Sequence, residues 1–332
     1  MQVWLHSFVF PHRAVEAARW AEECGFDGLL LADSQNLNGD VWVELALCGA
    51  ATERIHLGPG VTNPATRHPA VTASAAATLQ EETGGRVVLG IGRGDSALSQ
   101  IGRKPVHVEE LEAALAAIRG FLHGDEVELE SGPSRIGWIA ASAAPPVPLA
   151  VAATGPHVIA AAARHADRID FTVGAEPDRL RWAVETARGA GGEELSLGAF
   201  LNVAVGHDRA AARDLVRGST AIFARFATEG APPDGLSEVT RRGIERVAAD
   251  YDESRHGQAA AGHARALEDD FIDRFAMIGT AEEVIDRLRE LEALGIERAI
   301  VVPGSLDGDP EAMARSNELF ATEVLPNIRS IS

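Results

Sequence analysis

Histidine and acidic residues stand where apolar runs of this sequence end, and their chemistry suits proton transfer and ligand binding. His6 lies in the first apolar run, Asp33 follows the second, and Asp95 closes a later one in the stretch 92–95 (GRGD). Because the ordinary pKa of histidine is near neutrality, about 6.5, His6 is the candidate proton donor or acceptor. A packed or solvent-facing strand residue is the competing interpretation of His6.

Two glycine-rich turns accompany these residues. The stretch 58–64 reads GPGVTNP, and the glycines at 92 and 94 flank Arg93. Glycine permits backbone geometry, and a close approach of the chain to a flat ring, that side chains forbid. Asp95 either caps the segment that follows or accepts a hydrogen bond from a ligand. An ordinary tight turn explains the first stretch equally well.

Several familiar kinds of site are disfavoured. Lys104 is the only lysine, which leaves almost no place for Schiff-base chemistry. The eleven histidines do not cluster with acidic residues at ligand spacing, so we expect no metal site. The stretch 90–95 (GIGRGD) has aspartate where a dinucleotide-binding loop needs its third glycine. Cys24 and Cys48 lack CxxC spacing and are expected to be buried thiols.

The charge balance argues against polyanionic partners. The chain has 49 acidic and 30 basic residues, a net charge of −19, and its field would repel nucleic acid and anionic membranes. It shows no signal-peptide pattern at residues 1–11 and no apolar run of 18 residues. We therefore expect a cytoplasmic protein that acts on a small molecule.

These residues must be positioned by a regular alternation of strands and helices, which predicts a (β/α)₈ barrel. The predicted strands are 2–8, 26–32, 55–60, 86–91, 147–152, 168–173, 195–205 and 299–302. The predicted helices are 13–24, 41–51, 70–81, 108–123, 158–165, 178–188, 209–228, 282–294 and 310–325. We predict one domain over 1–332, with an excursion at 125–146 that is compatible with a hairpin, and an insertion at 230–275 that packs over one end of the barrel. The site is expected where the strands end.

Two longer stretches of the sequence resemble those of a known family. The stretches 58–74 (GPGVTNPATRHPAVTAS) and 85–95 (GRVVLGIGRGD) are similar to the luciferase-like (bacterial luciferase superfamily) flavin and deazaflavin oxidoreductases, and most closely to their F420-dependent methylenetetrahydromethanopterin reductases. The similarity extends more weakly over the whole chain, through 153–157 (ATGPH) and 278–284 (IGTAEEV). The resemblance implies a luciferase-like TIM barrel that binds coenzyme F420, a deazaflavin hydride carrier.

The resemblance also implies how the ring is held. A bulge in the third strand would support it, with a non-prolyl cis peptide bond between Gly60 and Val61. Asp33 and Asn63 would reach the polar edge of the ring. The loop formed by Gly92, Arg93, Gly94 and Asp95 would line the ring and its side chain. Arg93 replaces a proline of the reductases, and it either meets an anionic tail or is a solvated loop residue.

The phosphate of the cofactor would lie at Thr154, Gly155, Pro156 and His157. This role has independent physical support, because a Thr-Gly-Pro turn that opens a helix leaves unpaired amides and a positive dipole end for an anion. Simple helix initiation, with proline in the first turn, is the alternative interpretation.

One departure concerns the reaction itself. The reductases have glutamate where this chain has His6, and related dehydrogenases have histidine where it has Ser34, whereas Asp95 matches the second acid of the reductases. We therefore expect hydride transfer to or from a C=N, C=C or C=O bond of an unidentified substrate, with His6 and Asp95 as the catalytic residues.

Two other functions fit the same barrel. An FMN-dependent luciferase-like monooxygenase would activate oxygen at a reduced flavin, and a non-catalytic flavin-binding barrel would keep the fold alone. The GVTNP and GRGD runs favour deazaflavin over FMN. The resemblance further implies a homodimer that buries helices of the early part of the barrel.

Overall fold

The computed structural model describes residues 1–130, 132–227 and 236–328. The strands are β1 (Gln2–Ser7), β2 (Gly28–Leu31), β3 (His56–Pro59), β4 (Leu89–Ile91), β5 (Val127–Leu129), β6 (Gly132–Ser134), β7 (Leu149–Ala153), β8 (Arg168–Phe171), β9 (Ser196–Val205), β10 (Met277–Gly279) and β11 (Arg298–Val302). Eight of them pair in parallel in the order β3-β2-β1-β11-β9-β8-β7-β4. The predicted α/β barrel is therefore confirmed.

The helices surround this sheet. They are α1 (Arg13–Cys24), α2 (Val41–Ala51), α3 (Pro69–Glu82), α4 (Asp95–Ser99), α5 (Val108–His123), α6 (Pro156–His165), α7 (Pro177–Gly189), α8 (Arg209–Phe226), α9 (Glu238–Asp250), α10 (Gly262–Arg265), α11 (Asp269–Phe275), α12 (Ala281–Ala293), α13 (Pro310–Leu319) and α14 (Leu325–Ile328). A π-helical turn at Phe320–Val324 joins the last two. Every helix that the periodicity predicts is present, and the helices α4, α9, α10 and α11 are additional.

The barrel closes between β3 and β4 through two parallel bridges, Leu57 with Val87 and Thr62 with Ile91. The bridged residues are five positions apart on the first strand (62 − 57) and four apart on the second (91 − 87). The first strand therefore carries one extra residue between the bridges, which is a β-bulge. The bulge falls within the glycine-rich stretch 58–61.

The two irregular segments contain elements of their own. β5 and β6 pair antiparallel as a hairpin inside the excursion at 125–146. Helices α9, α10 and α11 occupy much of the insertion at 230–275, whereas its residues 230–235, which include the two adjacent prolines, lie outside the described residues. β10, which the sequence analysis did not predict, pairs in parallel with the end of β9.

A buried ion pair closes the N-terminal end of the barrel. The guanidinium of Arg298 donates from Nε and Nη2 to Oδ1 of Asp170, at 3.0 and 2.6 Å, and from Nη1 to Ser196 at 3.0 Å. Both charged residues are almost fully buried. A buried pair of this kind is costly to desolvate, and removing one partner leaves the other charge uncompensated.

The described residues show neither a membrane-spanning helix nor a metal-binding cluster, and both of their cysteines are free. No helix within them has the length and apolar character needed to cross a membrane. No group of three or more histidine, cysteine, aspartate or glutamate side chains there is arranged to hold a metal ion. Cys24 is half-buried and Cys48 buried, both as free thiols.

Candidate active site

A cavity opens where the barrel strands end, and most of the residues predicted from the sequence line it. Those that do are His6, Asp33, Gly60, Val61, Gly92, Arg93, Gly94, Asp95 and Thr154. The other predicted residues, Asn63, Gly155, Pro156 and His157, do not. The cavity therefore brings together side chains from the first, second and fourth strands and from the bulge that follows β3.

The bulge is shaped by close contacts between two segments of the backbone, one around Gly58 and one around Gly90. The peptide bond between Gly60 and Val61 is cis. A Cβ on Gly58 would lie 2.0 Å from the carbonyl oxygen of Val88, and one on Gly90 would lie 2.3 Å from that of Pro59. No side chain fits at either position, so glycine is required for the two backbones to approach this closely.

His6 is attached to this bulge. Its Nε2 donates a hydrogen bond to the carbonyl oxygen of Gly60 at 2.9 Å, since a carbonyl can only accept, and Nδ1 has no partner within the described chain. Phe8 and Phe200 lie edge-to-face with the ring, at centroid distances of 5.9 and 5.8 Å. Burial lowers the pKa of His6 to about 4, although the bond to Gly60 opposes the change. His6 is therefore neutral near pH 7, with a lone pair on Nδ1.

Asp33 lies beside the bulge, just after β2. Its Oδ2 accepts a hydrogen bond from Thr62 Oγ1, and its Oδ1 accepts one from Gln35 Nε2, both at 2.7 Å. Burial raises the pKa of the Asp33 carboxyl, while the hydrogen bond from Thr62 opposes the increase. This carboxyl group is a fixed polar edge of the cavity. Sequence reasoning did not single out Thr62, because in the run VTNP it resembles an ordinary turn residue.

The GRGD turn forms the wall next to the bulge. Gly94 has a φ of +85°, a conformation that favours glycine, and Asp95 begins α4. The side chain of Arg93 donates from Nε to the carbonyl oxygen of Val106 at 2.8 Å. The turn thus presents one acidic and one basic side chain to the cavity.

The structure does not place Asn63 among the residues that line this cavity, and its contact with the ring stays a prediction. Asn63 is fully buried, and its Oδ1 accepts hydrogen bonds from the backbone amides of Ala65 and Thr66, both at 3.1 Å. Its Cβ lies behind Gly94, where a Cβ would be only 2.9 Å away. Asparagine commonly bonds to the backbone two residues ahead, and this local turn occupies Oδ1, whereas Nδ2 is buried with no partner among the described residues.

A second cavity continues from the first. Its lining shares Arg93, Asp95, Ala152, Thr154 and Phe226 with the first cavity and adds Val108, Gly155, Pro156, His157, Val158, Arg179, Trp182 and Ala227. The four residues predicted to hold a phosphate thus lie together in this second space. Helix α6 begins there with proline in its first turn, and Gly155 provides no side-chain cap.

Sequence reasoning missed three features of these cavities. Helix α8 and strand β9 contribute an aromatic wall that includes Phe200, Phe223 and Phe226. His256, from the insertion, also lines the first cavity, and its Nδ1 lies 2.8 Å from the hydroxyl of Tyr251. Arg179 lines the second cavity. In the sequence the aromatic residues resemble core positions, and the two polar residues have no neighbours that mark a site.

Comparisons with known proteins agree with this architecture. The family model for luciferase-like monooxygenases matches residues 2–298. The chain is 31% identical over 331 residues to 5,10-methylenetetrahydromethanopterin reductase of Archaeoglobus fulgidus, with 93% of each chain covered. It is 29% identical to the phthiodiolone/phenolphthiodiolone dimycocerosates ketoreductase of Mycobacterium kansasii, over 91% of this chain and 87% of that protein.

One solved structure shows the same fold over nearly the full length. The coenzyme F420 dependent tetrahydromethanopterin reductase from Methanopyrus kandleri superposes with a TM-score of 0.73, at 24% identity, and 99% of each chain is covered. The overall fold of the chain therefore has a counterpart in that protein.

Proposed function

The chain belongs to the luciferase-like monooxygenase family, and on that premise we propose that it is a coenzyme F420-dependent oxidoreductase. It would transfer a hydride between the deazaflavin ring and a C=O, C=N or C=C bond of an organic substrate. The observation that carries the proposal is the hydrogen bond from neutral His6 to Gly60, because it joins a proton-transfer group to the bulge that would support the ring.

The residues of the cavity fit such a cofactor. The glycine-rich bulge and turn leave space for a flat ring, as the close approach at Gly92 illustrates, where a Cβ would lie 2.9 Å from Val61 Cγ2. Asp33 supplies a polar edge. The start of α6, in the adjoining cavity, suits the phosphate because helix N-termini attract anions. Thr154, whose Oγ1 lies 2.6 Å from that of Thr172, connects the two spaces.

When bound, the deazaflavin supplies or accepts two electrons as a hydride. His6 then accepts or donates the proton that accompanies the hydride. In the direction that oxidises an alcohol or amine, the lone pair on Nδ1 accepts the proton that leaves the substrate. In the reducing direction the resulting imidazolium returns a proton to the oxygen, nitrogen or carbon atom that gained electrons. Asp95, at the start of α4, is the second acid.

The aromatic wall of the first cavity supports an uncharged, largely apolar substrate. Phe200, Phe223 and Phe226 offer rings, and the polar groups among them are His6, His256 and Ser219. One or two neutral hydrogen-bonding groups against an aromatic surface suit a carbonyl compound or its alcohol. The name of the ketoreductase relative is consistent with this substrate class.

We also propose that the protein is a homodimer. Val43 and Leu47 on α2 and Val71 on α3 are large apolar residues with 59%, 51% and 50% exposure. The same two helices enclose a groove lined mainly by small and apolar residues, among them Ala46, Ala50, Ala70, Ser74 and Ala75. An apolar surface of this kind is typical of a subunit interface.

A cofactor titration tests the function. Purified protein is titrated with F420 and with FMN, and binding is followed by absorbance and fluorescence. We expect saturable binding of F420, hydride exchange with an alcohol or ketone, and no consumption of oxygen. Tight FMN binding with oxygen consumption and no F420 binding would instead establish the monooxygenase, whereas binding of neither would leave a non-catalytic barrel.

A further inference from the structure

His256 brings a second neutral imidazole to the first cavity. It follows the 3₁₀ turn Glu253–Arg255 in the insertion, it is 5% exposed, and it lines the cavity. Burial is the main reason that the pKa of His256 is lowered to about 4, and the nearby charges of Arg225 and His263 lower it further. Near pH 7 the ring is therefore uncharged and carries one proton, on either Nδ1 or Nε2.

Tyr251 determines which nitrogen of His256 carries that proton. The tyrosine hydroxyl lies 2.8 Å from Nδ1 and makes no other hydrogen bond within the part of the chain that the structure describes. Burial raises the pKa of Tyr251, so the hydroxyl keeps its own proton. If Nδ1 donated, the hydroxyl proton would have no acceptor among those residues, and an unpaired donor is costly. The hydroxyl therefore donates to Nδ1, and Nε2 carries the proton of the ring.

Neighbouring side chains hold Tyr251 in place. The ring of His263 stacks on the tyrosine ring at a centroid distance of 4.1 Å, and the guanidinium of Arg225 lies 5.0 Å from the tyrosine centroid. Arg225 also forms an ion pair with Glu253. The Oε2 of Glu253 in turn accepts a hydrogen bond of 3.0 Å from Ser99, at the end of α4. Tyr251 is thus fixed between a cation and an aromatic ring, and its hydroxyl is directed at His256.

The Nε2 of His256 is left for a ligand. It has no hydrogen-bond partner within residues 1–130, 132–227 and 236–328, and it is not sealed from solvent. The cavity around it is largely aromatic, with Phe200, Phe223 and Phe226 in the lining. A single N–H donor in such surroundings binds one oxygen or nitrogen atom that has a lone pair.

We propose that His256 donates a hydrogen bond from Nε2 to the substrate oxygen, and that this donor makes the chain select ketones and secondary alcohols over hydrocarbons of the same shape. The inference rests on the proposed function, which leaves C=O, C=N and C=C bonds open as substrates. An isolated C=C bond has no lone pair, nor has a protonated C=N group, so either would leave the donor unpaired. His256 binds the oxygen, whereas Tyr251 is a positioning residue that acts through it.

Three ligands of similar shape test the selectivity. Acetophenone, 1-phenylethanol and ethylbenzene differ in whether they carry an oxygen atom, and calorimetry measures their affinities with and without F420 present. His256→Phe should lower the ratio of acetophenone affinity to ethylbenzene affinity by about 10-fold. The 1-phenylethanol ratio should fall similarly. His256→Gln, which keeps an N–H donor, should retain a larger ratio than His256→Phe.

The infrared spectrum of bound acetophenone gives a second readout. A hydrogen bond weakens the carbonyl bond, so its stretching band should lie at lower frequency in the wild-type protein than in His256→Phe. The matched control is His207→Phe, because His207 is exposed, and it should leave both the ratio and the band unchanged. A folded His256→Phe protein with the wild-type ratio and band overturns the inference.

Nitrogen NMR tests the role of Tyr251 and does not depend on the folding of His256→Phe. In protein labelled with ¹⁵N-histidine, the His256 signals, assigned by their loss in His256→Gln, should show a protonated Nε2 and an unprotonated Nδ1 at pH 7. Tyr251→Phe removes only the hydroxyl and should give a mixture of the two tautomers. It should also lower the acetophenone ratio, though less than His256→Phe does. A wild-type ring that is protonated on Nδ1 overturns the inference.

The outcomes separate this inference from the proposed function, because ketone binding is measured without cofactor as well. Binding of F420 with no effect of His256 on the ratio leaves the function and removes the inference. A ratio that depends on His256 in a protein that does not bind F420 removes the F420 assignment and keeps the inference. Failure of the wild-type protein to bind acetophenone overturns the inference, whichever cofactor binds.

Discussion

His6 donates a hydrogen bond of 2.9 Å from Nε2 to the carbonyl oxygen of Gly60. This bond fixes which ring nitrogen carries the proton, because the carbonyl oxygen can only accept. The other nitrogen, Nδ1, keeps its lone pair and has no partner in the described residues. His6 thus contacts the bulge through one nitrogen and keeps a lone pair on the other, which is the proton acceptor in the function that we propose.

The first prediction concerns the proton step. His6→Ala should lower kcat/KM for alcohol oxidation by about 10²–10⁴, the usual contribution of a general base, while the dissociation constant of F420 changes little. Because the pKa of His6 is about 4, the wild-type rate should be independent of this group above about pH 5 and should fall at lower pH as Nδ1 becomes protonated. Steady-state kinetics over that pH range provide the measurement. Full activity in His6→Ala, with His207→Ala as the exposed control, would show that His6 is structural.

The second prediction concerns acid stability. The pKa values of His6 and His256 are lowered to about 4 from an ordinary 6.5. The unfolded chain therefore binds protons at a higher pH than the folded one, so stability is complete above pH 6.5 and decreases as the pH falls towards 4. Each histidine contributes up to about 3 kcal/mol to this loss.

Denaturant unfolding at a series of pH values measures this effect. The slope of unfolding free energy against pH between 6.5 and 4 should be smaller in His256→Phe and in His6→Phe than in the wild-type protein. His207→Asn, at an exposed position, should keep the wild-type slope. Equal slopes in all four proteins would contradict the prediction.

The third prediction concerns the close approach of the two backbone segments at the bulge. Gly58→Ala places a Cβ 2.0 Å from the carbonyl oxygen of Val88. The resulting displacement should cost about 1–3 kcal/mol or more, as overpacking does, and should also weaken cofactor binding. Gly137→Ala, where a Cβ meets nothing within 4 Å, is the control. Thermal unfolding that is equal for the two variants would argue against the observed packing.

The fourth prediction concerns the ion pair at the N-terminal end of the barrel. Asp170→Ala leaves the guanidinium of Arg298 buried without its carboxylate partner, so we expect a loss of about 3–5 kcal/mol in unfolding free energy. The double variant with Arg298→Met removes both charges and should recover part of that loss. Urea unfolding of the single and double variants is the measurement. Additive losses would show that the two side chains are not coupled.

The fifth prediction concerns the apolar surface of α2 and α3. Leu47→Glu places a charge on a residue that is 51% exposed and should convert the proposed dimer into a 35.0 kDa monomer. Sedimentation velocity distinguishes the two states. Ile101→Glu alters an exposed apolar residue outside these two helices and should leave the dimer intact. A wild-type protein that sediments as a monomer would remove the homodimer proposal.

Much of the architecture follows from the sequence because the signals for it are local. Apolar strands that alternate with amphipathic helices predict a parallel barrel, and the glycines of the stretch 58–61 mark where the third strand departs from regular geometry. The position of His6 near the end of the first strand likewise depends only on its own segment. These features arise from periodicity and backbone freedom, both of which are readable along a single stretch of chain.

Tertiary structure alone decided the chemistry of the side chains. His6 is neutral because the residues packed around it, Phe200 among them, bury it, whereas the hydrogen bond to Gly60, 54 positions away, sets its tautomer. The Oδ1 of Asn63 is held in a local turn outside the lining of the first cavity, whereas Arg179 lines the second cavity from a helix with no recognisable motif. Burial, tautomer and hydrogen-bond partner are properties of the packed neighbours. The sequence therefore determined the barrel and the region of the site, and packing determined which groups face it and in which charge state.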